Sequence, residues 1–119
     1  MMIEIKEGGI VMKKVLIVCG AGASSGFMAK NIRQELKKRE LTGEYSFLAR
    51  SDAELEEYIE DIDMLLLGPH LKYMYTSMKE YCDGFNVPVY VIDQKAYGML
   101  DGGTIIDFVQ EKFSTDKEG

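Results

Sequence analysis

Four short apolar runs alternate along the chain with stretches whose apolar residues return every three or four positions. Lys13 to Cys19 is a continuous valine-rich run, the pattern of a strand covered on both faces. Ser24 or Ser25 is placed to cap a helix running to about Glu40, with Met28, Ile32 and Leu36 on one face. Thr42-Gly43 ends that unit. Glu44 to Ala49 predicts a second strand. Ser51 or Asp52 then caps a short helix that turns Leu55, Tyr58 and Ile59 inward, while its acidic run forms a solvated face. Met64 to Gly68 is a third apolar run, stopped by Pro69. Leu71 to Asp83 predicts a helix with Met74, Met78, Tyr81 and Cys82 at helical spacing. After the turn at Gly84-Phe85-Asn86, Pro88 to Ile92 predicts a fourth strand, its proline at the tolerated first position. Asp93 to Asp101 reads as a loop or short helix. Thr104 to Phe113 predicts the last helix, with Ile105, Ile106, Phe108 and Val109 inward. Ser114 to Gly119 reads as a frayed polar tail.

Strand–helix repeated four times predicts an α/β fold. Right-handed crossovers give a four-stranded parallel sheet with helices on both faces, a three-layer Rossmann-like architecture. All loops that follow strands then gather on one edge. Residues 12–113 make one domain. Residues 1–11 look foreign to it, because Met12-Lys13-Lys14 before a buried strand resembles a protein start. Lys6-Glu7-Gly8-Gly9 can be encoded by AAAGAAGGAGGA, a purine-rich ribosome-binding sequence. The expectation is therefore a translated leader of eleven residues.

Composition narrows the function. The formal net charge of −6 disfavours nucleic acid and anionic membrane as main partners. No apolar run reaches the roughly 20 residues of a membrane span. Two cysteines, Cys19 and Cys82, make no disulfide framework, no ligand cluster suggests a metal, and the expectation is a cytoplasmic monomer without cofactor. Cys82, at a core spacing in its helix, reads as a structural thiol.

Cys19 is different. It ends the first strand, and Gly20-Ala21-Gly22-Ala23-Ser24-Ser25 leads from it into a helix. A helix N-terminus presents unpaired N–H groups to an anion. The same dipole favours thiolate over thiol. The stretch therefore predicts a nucleophilic sulfur beside a phosphate-sized pocket. It does not fit a dinucleotide motif, since Ser25 stands where the third glycine belongs. It does not fit a magnesium-binding receiver, since Gly68-Pro69 follows the third strand. A low-molecular-weight cysteine phosphatase or arsenate reductase, whose fold would be similar, needs an arginine five residues after the cysteine, where Ser25 stands. Asp93 could supply an acid on the correct edge. A phosphocarrier needs only the nucleophile and the amide cradle, without apparatus for attack by water.

Cys19-Gly20-Ala21-Gly22-Ala23-Ser24-Ser25 resembles the phosphorylation loop of enzyme IIB of the lactose/cellobiose/chitobiose class of the bacterial sugar phosphotransferase system. Leu65-Leu66-Leu67-Gly68-Pro69-His70-Leu71-Lys72-Tyr73-Met74 is similar to that family's third-strand segment. Val91-Ile92-Asp93-Gln94-Lys95-Ala96-Tyr97-Gly98-Met99-Leu100-Asp101-Gly102 is similar to its Ile-Asp…Tyr-Gly…Asp-Gly segment. The resemblance implies a phosphotransferase. Cys19 would accept a phosphoryl group from a phosphohistidine of enzyme IIA and pass it to a β-linked disaccharide held by the membrane-embedded enzyme IIC. It also implies a phosphate cradle at residues 20–25 and edge or partner contacts at His70, Tyr73, Asp93, Tyr97 and Asp101. Three departures stand out: Gly20 where the family often has Ser, Ala23 where a larger residue is common, and His70 in place of a frequent Gln.

Overall fold

Val15, Leu16, Ile17 and Val18 expose no more than 1% of their surface, which fixes the first strand as the centre of the molecule. A computed structural model describes residues 12–18, 23–99 and 101–118. Within these, β1 (Lys13–Val18) leads to α1 (Ala23–Lys38), β2 (Tyr45–Arg50) and α2 (Leu55–Tyr58). Then come β3 (Met64–Leu67), α3 (Tyr75–Asp83), β4 (Val89–Val91), α4 (Gln94–Gly98) and α5 (Gly102–Glu118). The strands form one parallel sheet in the order β2-β1-β3-β4. The fold is the expected three-layer Rossmann-like architecture. The proposed leader at 1–11 lies outside the described residues.

Alternation along the strands sends side chains to two cores. Val15, Ile17, Phe47, Met64 and Leu66 face Met28, Ile32 and Leu36 of α1 and Ile105, Ile106 and Val109 of α5. Leu16, Val18, Leu65 and Leu67 face Leu55 and Ile59 around α2, and Met78 and Cys82 of α3. Burial of this size against both faces of a short sheet is what lets a chain of 119 residues fold without staples.

Four sequence expectations are corrected. The helix expected from Leu71 begins as a 3-10 turn over Pro69–Met74, and α3 starts only at Tyr75. Ser24 and Ser25, expected as the cap of the first helix, lie inside its first turn, because α1 begins at Ala23. Phe108 is only half-buried and meets Tyr90 edge-on, with centroids 5.3 Å apart. The last helix begins at Gly102 and continues to Glu118, so residues 114–118 are helical rather than frayed. No proline or glycine interrupts the chain between Thr104 and Glu118, and polar residues such as Lys and Glu sustain a helix without burial.

Candidate functional site

Parallel α/β sheets bind ligands beyond the carboxyl ends of their strands, where the strand order reverses. In the order β2-β1-β3-β4 that point lies between β1 and β3. The chain leaves β1 toward the α1/α5 layer and leaves β3 toward the α2/α3 layer, which opens the crevice. The register pairs Val18 with Leu67, and the Gly68 amide donates to the Val18 carbonyl at 2.9 Å. The turn after β3 is thereby fixed directly beside the end of β1, the residue before Cys19. Cys19, Gly20, Ala21 and Gly22 lie outside the described residues. Ala23, Ser24 and Ser25 form the first turn of α1, and their side chains also lie outside the described part.

The segment after β3 has a period of three. Gly68 is extended (φ −61°, ψ 149°), Pro69 takes the first position, and Leu71 is buried. In a 3-10 turn, residues i and i+3 eclipse. Leu71 and Met74 therefore share the inner side, whereas His70 and Tyr73 share the outer one, with Tyr73 77% exposed.

The segment after β4 makes the facing wall. The Asp93 carboxylate accepts from the Ala96 amide at 3.1 Å and caps α4. Ala96 is buried, which fixes α4 against the sheet and turns Tyr97 toward the preceding loop. The rings of His70 and Tyr97 meet with centroids 5.8 Å apart at 52°. Between the two segments lies a cleft of about 420 Å³, lined by Pro69, His70, Lys72, Gln94, Tyr97 and Gly98.

The structure thus brings His70, Asp93 and Tyr97 into one pair of loops, with Tyr73 at their outer margin. Asp101 sits elsewhere. Its carboxylate caps α5 by accepting from the Thr104 amide at 3.1 Å and the Thr104 hydroxyl at 2.8 Å. These bonds hold it below the ordinary carboxylate range. The next residue, Gly102, donates to the Asn31 side chain at 3.4 Å, two turns along α1 from its first residue.

Lys72 and Gln94 were missed by sequence reasoning; the signal was available, since each lies within five residues of a strand's carboxyl end.

All three arginines of the chain are occupied. Arg33 donates to the Phe47 carbonyl at 3.4 Å. Arg39 bonds Glu35 at 3.1 Å and Asp107 at 2.7 Å. Arg50 pairs in register with Val18, but its guanidinium turns away to the Tyr58 hydroxyl at 2.8 Å and the Ala49 carbonyl at 2.8 Å. The Tyr58 bond holds it firmly protonated.

Comparison with known proteins decides the family. The family described as the lactose/cellobiose-specific IIB subunit of the PTS system matches residues 14–108. The chain belongs to that family. As a PTS IIB component it is a phosphotransferase for sugar uptake. It is 29% identical over 91 residues to the oligo-beta-mannoside-specific EIIB component of Bacillus subtilis (strain 168), covering 76% of this chain and 86% of that protein. It is 29% identical over 98 residues to the lactose-specific EIICB component of Lacticaseibacillus casei, covering 81% of this chain and 17% of that protein. Among solved structures, the lactose-specific IIB domain from Streptococcus pneumoniae superimposes with a TM-score of 0.76 at 18% identity, covering 85% of this chain and 97% of that one. The cellobiose-specific IIB component from Borrelia burgdorferi gives 0.73 at 22% identity, covering 88% and 94%. Among the described residues of this IIB chain, no helix is long and apolar enough to cross a membrane.

Proposed function

We propose that Cys19 carries the phosphoryl group, taking it from a phosphohistidine of enzyme IIA and giving it to a β-linked disaccharide held by enzyme IIC. The observation that favours a carrier over a hydrolase is the commitment of every arginine to a backbone or side-chain partner. A cysteine phosphatase clamps the transferring group with a guanidinium aimed at its oxygens. Ser25 stands at the clamp position in sequence, and Asp93, the acid on this edge, holds the Ala96 amide.

In loading, the thiolate of Cys19 attacks phosphorus, the S–P bond forms and the donor N–P bond breaks. The bonding pair returns to the imidazole nitrogen, which takes up the proton that the thiol gave up. In discharge, a sugar hydroxyl oxygen attacks, the S–P bond breaks, and the hydroxyl proton is balanced by reprotonation of sulfur. Backbone amides of residues 20–25 cradle the oxygens, with the Ser24 and Ser25 hydroxyls as further donors. Such transfer is mostly positioning and electrostatics. Tyr73, Asp93 and Tyr97 shape the edge on which the partners dock, while Asp101 caps α5 away from it. The lactose-specific EIICB relative, which joins the two components in one protein, supports enzyme IIC as a partner. A cytoplasmic protein held at the membrane by that partner is the setting that follows.

The test is intact mass after incubation with phosphoenolpyruvate, the general phosphotransferase proteins and an enzyme IIA of this class. The expected result is a gain of one phosphoryl group, absent in Cys19→Ser. Absence of any gain, with steady release of inorganic phosphate from an aryl phosphate, would overturn the carrier in favour of the phosphatase.

A further inference from the structure

The sheet has two edges, and they differ. An edge strand turns the amide and carbonyl of every second residue outward, where another strand can take them. β4 is three residues long and follows Pro88, and its outward residues are Val89 and Val91, since Pro88 and Ile92 bond β3. β2 is six residues long, without proline or glycine. The Glu44 carbonyl accepts from the Lys13 amide, and the register with β1 then leaves Tyr45, Phe47 and Ala49 facing outward. Three bonds meet that outward row. The Tyr45 amide donates to the Leu41 carbonyl at 3.2 Å. The Phe47 carbonyl accepts from Arg33 at 3.4 Å, and the Ala49 carbonyl accepts from Arg50 at 2.8 Å. The Phe47 and Ala49 amides have no backbone partner among the described residues.

This edge is complementary to itself. Laid antiparallel about Phe47, Glu44-Tyr45-Ser46-Phe47-Leu48-Ala49-Arg50 sets Phe47 opposite its twin and Tyr45 opposite Ala49. These are the outward residues, so each pair can exchange both of its bonds. Glu44 falls opposite Arg50 at each end, a carboxylate against a guanidinium. An apolar cleft of about 260 Å³ runs beside the strand, lined by Leu36, Tyr45, Phe47 and Leu48 with Arg33. We propose that the β2 edge is a self-pairing surface, whose partner is a second copy of this chain, and that Arg33 holds it shut. The Phe47 carbonyl lies at the two-fold axis of such a pairing. Two guanidiniums, one from each copy, have to leave before the central pair of bonds forms. Leu41 and Arg50 guard the flanking pair, where the Tyr45 amide and the Ala49 carbonyl are the donor and acceptor of one and the same bond. With these contacts in place the chain stays a single copy. Nothing in this surface involves Cys19.

The experiment uses the full chain, sedimentation velocity and amide hydrogen exchange. The parent is expected to sediment as one copy, with fast exchange at the Phe47 and Ala49 amides. Arg33 is exposed, so Arg33→Met, which keeps the apolar stem and removes the donor, is expected to leave the melting temperature unchanged. It is expected to associate with rising concentration toward twice the 13.4 kDa of one chain. Both amides are then slowed by about tenfold or more. Ala49→Pro removes an outward amide that β1 does not use, a position where an edge strand tolerates proline. Added to Arg33→Met, it is expected to restore the single copy. Arg33→Met that remains one copy at millimolar concentration would overturn the proposal, and so would association that is equal with and without Ala49→Pro. A parent that already pairs through this edge would show that Arg33 does not hold it shut. Slow exchange at Phe47 in a parent that is one copy would also overturn the proposal, because another segment of the chain would then hold the edge.

Discussion

The layer that holds α1 and α5 and the layer that holds α2 and α3 cover the same sheet by different means. The first uses two long helices of 16 and 17 residues. They approach so closely that a Cβ on Gly102 would stand 3.0 Å from the Ile32 backbone. Arg39, one residue past the end of α1, is bonded to Glu35 of α1 and to Asp107 of α5 and locks them further. The second layer uses helices of four and nine residues, each entered through a 3-10 turn. Ser51 opens the first of these turns, its amide and hydroxyl both donating to Glu54 at 3.2 and 3.0 Å. The two layers meet at the reversal point, where one supplies the helix that follows Cys19 and the other the turn that carries His70. A fixed layer thus lies on one side of the end of β1, and the layer with shorter elements brings the turn after β3 beside that end through the Gly68–Val18 bond.

If the first layer owes its rigidity to close approach, a single methyl group should break it. Gly102→Ala is expected to lower stability by about 1–3 kcal/mol, because the obstructing atoms are backbone and cannot swing aside. Gly103→Ala, one residue on, would meet the end of the Arg39 side chain at 3.1 Å, which can move. It is expected to cost less than about 1 kcal/mol, offset by helix propensity. Urea unfolding of the pair measures the difference; equal costs would remove close packing as the explanation.

The second layer depends on a thiol instead. Cys82 is fully buried in α3, and burial, followed by the nearby Asp83 carboxylate, pushes the thiol from 9.0 to about 11. Since the folded value lies above the unfolded one, the folded state holds the proton longer. The stability is fully present below pH 9 and is lost as pH rises through about 11. Its size is on the order of 1–2 kcal/mol. Melting scans from pH 8 to 11 should show this decline in the parent and a shallower one in Cys82→Ala. Alkylation at pH 8 should likewise stop at one group per folded chain and reach two only on unfolding, the contrast expected between a loop thiol and a core thiol.

Much of this was legible from pattern alone. Strand centres were, because a run such as Met64-Leu65-Leu66-Leu67 has no other way to bury four apolar side chains on two faces. The start of α3 was not. Leu71, Met74 and Met78 satisfy both an α-helical stripe and a 3-10 turn running into a helix, and periodicity cannot separate them. Only the fold shows that the tighter turn puts His70 beside Tyr97. The cleft was illegible for the same reason, since Lys72 and Gln94 come together through a crossover, and their separation in sequence carries no trace of it. The end of α5 was missed because a polar, charged tail reads alike as coil or as solvated helix.

The smallest effect separates the layers at the helix ends. α1 closes with the Leu41 amide on the Leu36 carbonyl and the Glu40 amide on the Lys37 carbonyl. α3 closes with Val87 on Cys82 and Asn86 on Asp83 in the same way. Both are Schellman endings, which require a left-handed residue, supplied by Glu40 at φ 59° and Asn86 at φ 61°. Asparagine tolerates that region far better than glutamate, whose side chain offers no local hydrogen bond there. Glu40→Gly is therefore expected to raise stability by about 0.5–1 kcal/mol, the relief of strain exceeding the added freedom of the unfolded chain. Asn86→Gly is expected to change it by no more than a few tenths. Glycine at 43, which the sequence offered as the end of the first unit, lies three residues too late to serve, with open space around its Cβ direction. Equal gains at 40 and 86 would mean that the two layers end their helices at the same cost, and that the difference between them lies wholly in how α1 meets α5.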